Sequence, residues 1–348
     1  MKEISRREFI RKLLAVGIGG YGAGLLVSNV SCGSPSPEPT ARLPSVTSVP
    51  AVQPTPPAAA STAIPTRTPT APATRTPIAE GAYLAVARGG SPTAIVQAAL
   101  KALGGIERFV KPGNDVIIKP NICTAYYTYE YAATTNPEVV TALVKLCLGA
   151  GAKRVRVMDY PFGGTPEQSY AKSGIAEAVK AAGGQMEVMA SIKFQDTAIP
   201  LGKSINKWKV YRDALETDVL INVPIAKHHS LARLTLGMKN LMGLIENREQ
   251  LHSDLGQRLA DLTSLIAPDL TVIDAVRIMV AGGPTGGNLN NVKLTNTVIA
   301  SRDIVAADTY AASLFGLTAD QVPAISAGAK MGLGTTDLKG VQVEEVSV

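Results

Sequence analysis

One stretch of the chain organises the rest: Asp218-Val-Leu-Ile-Asn-Val-Pro-Ile-Ala-Lys-His-His-Ser-Leu-Ala-Arg-Leu-Thr-Leu-Gly-Met-Lys-Asn-Leu-Met-Gly-Leu-Ile245. Its first part, Val219 to Ile225, is apolar, rich in β-branched residues and broken by Pro224, which predicts a buried strand. The rest has helical spacing. A regular helix would place one set of residues on an apolar stripe (Leu231, Leu234, Met238, Leu241 and Ile245) and another set opposite (His229, Arg233, Asn240 and Gly243).

Lys227, His228 and His229 lie between the predicted strand and helix, where an open α/β sheet presents its ligand-binding groups. All three histidines of the chain, the third being His252, fall in this neighbourhood. Histidine is the side chain best suited to proton transfer near neutral pH. Alternatively, adjacent histidines are ordinary surface residues and Lys239 is solvated on a helix flank. We favour a functional site.

The N-terminus has the pattern of an export signal. Ser5-Arg-Arg-Glu-Phe-Ile-Arg-Lys12 precedes a modestly apolar, glycine-containing run from Leu13 to Val27, which resembles a twin-arginine signal. A membrane-spanning helix is disfavoured because the run is short and rich in glycine. Cys32 follows a small residue and resembles the acylated cysteine of a bacterial lipoprotein. We therefore predict that residues 1–32 are a signal read by the twin-arginine translocation machinery.

Residues 33–78 consist mainly of Pro, Thr, Ser and Ala, and they contain 12 of the 23 prolines. Such a segment cannot bury enough apolar surface to offset its ordering entropy, so a disordered tether is predicted. Together with lipidation at Cys32, the tether predicts an exported domain, anchored at the outer face of the cytoplasmic membrane or in the cell envelope.

The charge distribution argues against nucleic-acid binding. Most of the formal net charge of +6 lies in residues 1–78, and the remaining chain is nearly balanced. A basic isoelectric point that arises from a signal and a tether does not indicate a nucleic-acid surface.

Cys123 and Cys147 are the only cysteines after the tether. Two cysteines so separated match neither an iron–sulfur pattern nor a zinc knuckle, so no iron–sulfur cluster is expected. A disulfide remains an alternative, although Cys147 in an apolar helical pattern favours a buried thiol. The identity of any cofactor is unknown, but many cargoes of the twin-arginine route load one before export.

Residues 79–348 alternate predicted strands and helices, which indicates an α/β domain. We expect a mostly parallel, doubly wound sheet with helices on both faces and a small hairpin within Ser191–Leu215. The predicted strands are Tyr83–Ala87, Val116–Ile118, Arg154–Pro161, Met186–Met189, Leu270–Asp274 and Val292–Ala300. The predicted helices are Thr93–Leu103, Glu138–Leu148, Ile175–Ala182, Leu255–Ile266, Asp303–Phe315 and Gln321–Met331.

Polar residues follow several of these strands. Lys119 and Asn121 straddle a proline and suit a phosphate or carboxylate, although Asn121 alone is also typical of a turn. Asp159 and Asp274 each end a predicted strand. An aspartate in this position acts as a base, as a metal ligand or as a hydrogen-bond acceptor for a hydroxyl group, or it only stabilises a turn; these alternatives are left open.

The glycine-rich loop Gly282–Gly287 lets backbone N–H groups, for example those of Gly283 and Gly286, approach an anion closely. It lacks the features of a nucleotide fingerprint, namely a following GK[ST] or a G-x-G-x-x-G helix start.

The order of these segments resembles the prokaryotic domain of unknown function 362 family over about residues 82–334. The resemblance is carried by Ile118–Asn121, Thr134–Glu138, the strand ending at Asp159, Lys227–His229, Lys239–Gly243, Asp274 and the Gly283-Pro284 loop. It implies no reaction, because none is established for the family. Some relatives carry ferredoxin-like cysteine clusters, which this sequence lacks.

The leading hypothesis is an extracytoplasmic enzyme that acts on, or with, an anionic small molecule or cofactor. Its predicted binding residues are Lys119, Lys227 and Lys239, with Asn121 and Asn240 orienting the ligand. In this hypothesis His229 is an acid or base assisted by Asp159 or Asp274. The alternatives are a tethered protein that binds an anion without chemistry, and a metal site built from His229, His252 and an aspartate.

Overall fold

The computed structural model describes residues 83–348. The predicted export signal, Cys32 and the tether lie outside the described residues. None of the helices in residues 83–348 is both long and apolar enough to cross a membrane.

The described chain forms a ten-stranded mixed sheet and a separate two-stranded hairpin. The strands of the large sheet are β1 (Leu84–Arg88), β2 (Asp115–Pro120), β3 (Arg154–Val157), β4 (Gln185–Met186), β7 (Val219–Val223), β8 (Ile225–His229), β9 (Arg233–Thr235), β10 (Leu270–Met279), β11 (Val292–Ser301) and β12 (Val343–Ser347). The hairpin consists of β5 (Phe194–Ala198) and β6 (Lys207–Tyr211), within the predicted segment.

The main path of the large sheet runs in the order β12-β1-β11-β10-β7-β2-β3-β4. The pairs from β10 through β7, β2 and β3 to β4 are all parallel, whereas β11 is antiparallel to both β1 and β10. The predicted fold class, a mostly parallel α/β sheet, is confirmed. The edge strand β12, which pairs with β1, was not predicted because its residues are largely exposed and include adjacent charged side chains.

Helices cover both faces of the sheet. They are α1 (Pro92–Ala102), α2 (Pro137–Gly149), α3 (Pro166–Lys172), α4 (Ile175–Ala181), α5 (Arg212–Glu216), α6 (Gly237–Asn240), α7 (Leu255–Ile266), α8 (Ile304–Ser313) and α9 (Pro323–Lys330). Alternate residues of β2 enter different cores: Val116 and Ile118 pack with α1 and α2, whereas Ile117 packs with α7 and α8. This alternation explains why the strand is apolar without a break.

The main error of the sequence prediction lies in the stretch from Asp218 to Ile245. Val219–Val223 is the expected buried strand, but Ile225–His229 continues as β8 and turns back as β9, so there is no helix through residues 225–236. Lys227 and His229 therefore lie on a strand. Four residues of the predicted apolar stripe are buried, whereas Leu231 is 63% exposed because it lies in the β8–β9 turn.

Tertiary pairing explains the departure from helical spacing. β8 pairs with β10, and β9 pairs with β8 in the register Lys227↔Thr235. The His229 ring closes the turn, because its Nδ1 accepts hydrogen bonds from the backbone N–H groups of Leu231 and Ala232. Arg233 adopts a left-handed φ of 67°, which a helix does not allow. Sheet pairing thus overrides the local periodicity.

A short helix does form further along, as α6. The buried carboxylate of Asp308 accepts hydrogen bonds from the N–H groups of Gly237 and Met238 at 2.6 and 2.9 Å, which satisfies the start of this helix. A 3₁₀ turn, Leu241–Leu244, follows directly. Asn240 and Gly243 are thereby carried to the ends of the central strands.

Candidate functional site

A cavity of about 350 Å³ lies at the carboxyl ends of β7, β2 and β3. The polar residues that line it are Lys119, Asn121, Cys123, Asp159, Lys227, His229, Ser230, Thr235, Lys239, Asn240, Arg248, Glu249 and His252. The apolar and aromatic residues that line it include Tyr160, Phe162, Leu231 and Met242. This is the position at which open α/β sheets bind ligands. The volume lies within the range of small-molecule sites, which is roughly 300–1,000 Å³.

The two-residue repeat of extended chain directs several of the lining side chains toward the cavity. Lys119, Asn121 and Cys123 are spaced two apart at the end of β2, and all three line the cavity. Lys227 and His229 have the same spacing on β8. His228, between them, instead accepts a hydrogen bond at its Nδ1 from the Gly283 N–H. In an extended chain alternate side chains share a face, so both segments present their polar groups to the same space.

Lys119 belongs to a buried network. Its Nζ lies 2.8 Å from Asp159 Oδ1 and 2.8 Å from Asn240 Oδ1. Asn240 also accepts a hydrogen bond from Asn121 Nδ2 and donates to Asn222 Oδ1. Burial lowers the pKa of Lys119 to about 8, and the Asp159 carboxylate opposes that effect. The predicted site residues Lys119, Asn121, Asp159 and Asn240 therefore meet in one hydrogen-bonded cluster.

Lys227 is 1% exposed and has no carboxylate partner among residues 83–348. Its Nζ donates to Ala133 O at 2.6 Å, to Asn121 Oδ1 at 3.0 Å and to Cys123 Sγ at 3.4 Å. These neutral acceptors satisfy its geometry but leave its charge uncompensated. A buried cation of this kind favours a nearby anion.

Lys239 lines the same cavity, and its amine makes no hydrogen bond or ion pair within the described part of the chain. Its pKa is lowered to about 7, first by burial and then by the charges of Lys227, Arg248 and Lys119. Three predicted binding lysines, from separate parts of the sequence, thus line one cavity.

His229 lines the cavity in an uncharged state. Burial and the nearby charges of Lys239 and Lys227 lower its pKa to about 3. Because Nδ1 accepts two backbone hydrogen bonds, the proton of the neutral ring resides on Nε2, which is left as a donor. A pKa this low does not suit the predicted acid–base role, which requires a value near the working pH.

Arg248 and Cys123 were not among the predicted site residues. The Arg248 guanidinium donates to Tyr160 O at 2.6 Å and to Pro161 O at 3.1 Å, and it lies over the Tyr160 ring. Cys123 is a free thiol in contact with Lys227. The spacing of Cys123 from Lys119 and Asn121 was a usable signal, whereas Arg248 stands in a 3₁₀ segment, Arg248–Asp254, that gives no periodic pattern.

Cys147, the other cysteine of the described residues, is also a free, buried thiol. The disulfide with Cys123 that was considered as an alternative is therefore not formed.

Three predicted site residues lie apart from the cavity lining. Asp274 is buried elsewhere, and its carboxylate accepts the N–H groups of Asn136 and Val276, so it fixes the start of α2. Gly283 and Gly286 belong to a loop whose N–H groups are already bonded, to His228 Nδ1 and Gly282 O respectively. A Cβ at Gly283 would lie 1.8 Å from the His228 carbonyl oxygen, so this glycine permits close packing against β8.

The proposed metal alternative is not supported by the geometry. His229 and His252 both line the cavity, but within residues 83–348 no group of three or more His, Cys, Asp or Glu side chains is arranged to hold a metal ion. The anionic lining residues are Asp159 and Glu249, against four cationic ones, namely Lys119, Lys227, Lys239 and Arg248. A lining of this composition attracts anions and repels metal ions.

The fold and the cavity define an α/β protein with a cation-rich cleft at the ends of its parallel strands. The chain belongs to the family described as Domain of unknown function (DUF362), whose model matches residues 116–313. This finding confirms the resemblance seen in the sequence.

Two other proteins are similar to this chain. The chain is 29% identical over 262 residues to Thylakoid-associated protein sll1697 of Synechocystis sp., an alignment that covers 71% of this chain and 77% of that protein. It also resembles the lactate racemase apoprotein from Thermoanaerobacterium thermosaccharolyticum, with a TM-score of 0.46 and 14% identity. That match covers 66% of this chain and 56% of the racemase chain, and it carries no argument about activity.

The Lys119–Asp159 pair predicts the effect of adding a methyl group at Gly243. A Cβ there would lie 1.9 Å from Asp159 Oδ1 and 2.5 Å from Lys119 Nζ. Gly243→Ala should therefore force the pair apart and reduce the free energy of unfolding by about 1–3 kcal/mol, the usual cost of overpacking. Urea denaturation measures this change.

Gly149→Ala is the matched control. Gly149 is exposed at the end of α2, and a Cβ there would meet nothing within 4 Å. Alanine should leave stability unchanged or raise it by about 0.5–1 kcal/mol. Equal stabilities of the two variants would contradict the claim that Gly243 makes room for the ion pair.

Proposed function

We propose that the protein is an extracytoplasmic, membrane-tethered enzyme that binds an anionic small molecule, as substrate or cofactor, and acts on it with lysine and histidine groups. The observation that carries this proposal is the buried ammonium of Lys227, whose three acceptors are all neutral. An unpaired buried charge costs several kcal/mol on an order-of-magnitude scale, and a bound anion would offset this cost.

The lining limits the chemical class of the ligand. Four cationic side chains against two carboxylates favour a carboxylate or phosphate group. Tyr160, Phe162 and Met242 provide apolar surface for a small organic portion. A cavity of about 350 Å³ suits a metabolite-sized anion better than a polymer.

The groups available for chemistry are an amine and a hydrogen-bond donor. Lys239 has a pKa of about 7 and no bonding partner within residues 83–348, so its amine is available near neutral pH. His229 is neutral and offers Nε2–H to a developing negative charge. This assignment gives the proton-transfer role predicted for His229 to Lys239.

Capture of an anion without chemistry is the second candidate. The low pKa of His229, about 3, favours it, because an imidazole that stays neutral is suited to binding rather than to proton transfer. Turnover of a bound ligand would exclude this candidate. The residues that hold the anion are the same in both.

The cellular setting of the proposal rests on residues 1–78. The paired arginines, the cysteine at position 32 and the proline-rich segment support export by the twin-arginine machinery, lipidation and tethering. We retain the division into a signal (1–32), a tether (33–78) and an α/β domain (79–348) as part of the proposal.

Replacement of Lys227 tests anion binding directly. Lys227→Met removes the charge while conserving much of the apolar volume, so the affinity for sulfate or oxalate should fall by about 10- to 100-fold, the scale of a lost charged hydrogen bond. The apo protein should lose little stability, because removal of a buried, uncompensated charge offsets the cost of leaving Asn121 Oδ1 and Ala133 O without this donor. Isothermal titration calorimetry gives the affinity, and thermal unfolding gives the stability.

Lys101→Met is the control for the change in net charge. Lys101 is exposed in the last turn of α1 and lies outside the cavity lining. Its replacement should leave the affinity for both anions within twofold of wild type. The proposal fails if the wild-type protein binds neither anion, or if the two variants lose affinity equally.

The lowered pKa values of Lys239 (about 7) and Lys119 (about 8) predict that sulfate binds more weakly as the pH rises from 6 to 9. The affinity falls because sulfate keeps its negative charge over this pH range, whereas each amine loses its proton and with it the positive charge that attracts sulfate. Binding should therefore take up protons, which calorimetry in buffers of different ionisation enthalpy detects.

Lys239→Arg separates the contributions of the two lysines. Arginine remains charged to high pH. The variant should lose the part of the pH dependence near pH 7 and keep the part near pH 8. Sulfate affinity that is constant or rises from pH 6 to 9 would contradict the proposed role of these amines.

A further inference from the structure

The three lysines of the cavity differ in how their amines are held. Lys119 Nζ has two oxygen partners, and Lys227 Nζ has three acceptors. Within residues 83–348 the Lys239 amine has neither a hydrogen bond nor an ion pair, although it lines the same cavity. The first two are suited to holding an anion in place, whereas the third is free to move and to react.

The surroundings of Lys239 keep its amine partly unprotonated. Burial is the first cause, and Lys227 on β8, Arg248 and Lys119 on β2 then place positive charge near the amine. The Asp159 carboxylate, which also lines the cavity, is already paired with Lys119. A desolvated lysine beside other cations is a recognised form of activated nucleophile, because the neutral amine carries the reactive lone pair.

We propose that Lys239 forms an imine with the carbonyl group of a small 2-oxo acid whose carboxylate is held by Lys227. This inference rests on the proposed function, because it requires the same anion-binding cavity. A 2-oxo acid places its carboxylate one bond from its carbonyl, so a fixed ammonium and a free amine in one cavity match its two groups.

The chemistry is balanced without an oxidant or reductant. The Lys239 amine attacks the carbonyl carbon, a C–N bond forms, and the carbonyl oxygen becomes the hydroxyl of a carbinolamine after gaining a proton. That hydroxyl then leaves as water while nitrogen loses its remaining hydrogen as a proton, giving the imine. His229 Nε2–H is the neutral donor available to the developing oxyanion.

The imine has a direct chemical use. When it is protonated, it accepts electrons from a bond of the next carbon, C3, on the side away from the carboxylate, which makes loss of a proton or of CO2 from that carbon easier. The enzyme class that follows is therefore one that makes or breaks a bond next to the carbonyl of a 2-oxo acid.

Reductive trapping tests the proposal. The protein is incubated with pyruvate or with 2-oxoglutarate, treated with sodium borohydride, digested and analysed by mass spectrometry. We expect a stable adduct on Lys239 whose mass exceeds that of lysine by the acid minus one oxygen atom. Excess oxalate should suppress the adduct, and neutral acetone should give at least tenfold less labelling.

Lys239→Arg is the matched variant. Arginine keeps the positive charge but forms no such imine, so this variant should bind oxalate and yield no adduct at position 239. Exposed Lys101 serves as an internal control for nonspecific labelling in the same digest.

The outcomes separate the two proposals. Oxalate binding without trapping of either acid, or labelling spread equally over Lys239 and Lys101, overturns the imine and leaves the anion site standing. Absence of binding by both oxalate and sulfate overturns the anion site itself, and the imine with it.

Discussion

The concentration of positive charge at the carboxyl ends of β7, β2 and β3 is the constraint on which the site depends. Lys119 and Lys227 are each 1% exposed, yet the Asp159 carboxylate pairs with Lys119 and leaves Lys227 to neutral acceptors. Burying charge is expensive, so an arrangement that leaves a cation uncompensated favours an occupant of opposite charge. Burial is the first cause of the lowered pKa values of Lys119, Lys239 and His229, and the neighbouring positive charges lower these values further.

The surrounding fold holds these groups in fixed positions. The Thr135 hydroxyl accepts the Asn121 N–H and donates to Val223 O, which ties the ends of β2 and β7 together. Asp274 secures the start of α2 through the Asn136 N–H, and Asp308 secures the start of α6, which carries Lys239. Buried carboxylates used in this way orient backbone segments, so the amines meet at one cavity with little freedom of placement. Asp274 thus helps to position the site although it does not line the cavity.

Much of the fold could be predicted from the sequence, because buried parallel strands and capped helices leave strong local signals. The helix Leu255–Ile266 and the cap at Asn136 are examples. The helix predicted through residues 225–236 was wrong. The apolar spacing there fits a helix, but pairing with β10 and the turn closed by His229 stabilise two strands instead. The strand-end lysines were found because parallel strands bring their ends together. Arg248 was not, because its place depends on tertiary contacts with Tyr160 and Pro161.

The most direct measurement of the central claim is a crystal structure of the protein grown with sodium selenate, with anomalous scattering used to locate selenium. The account predicts a peak inside the cavity within hydrogen-bonding distance of Lys239 Nζ or Lys227 Nζ. Ordered water alone in the cavity, with selenate bound only at the protein surface, would contradict it.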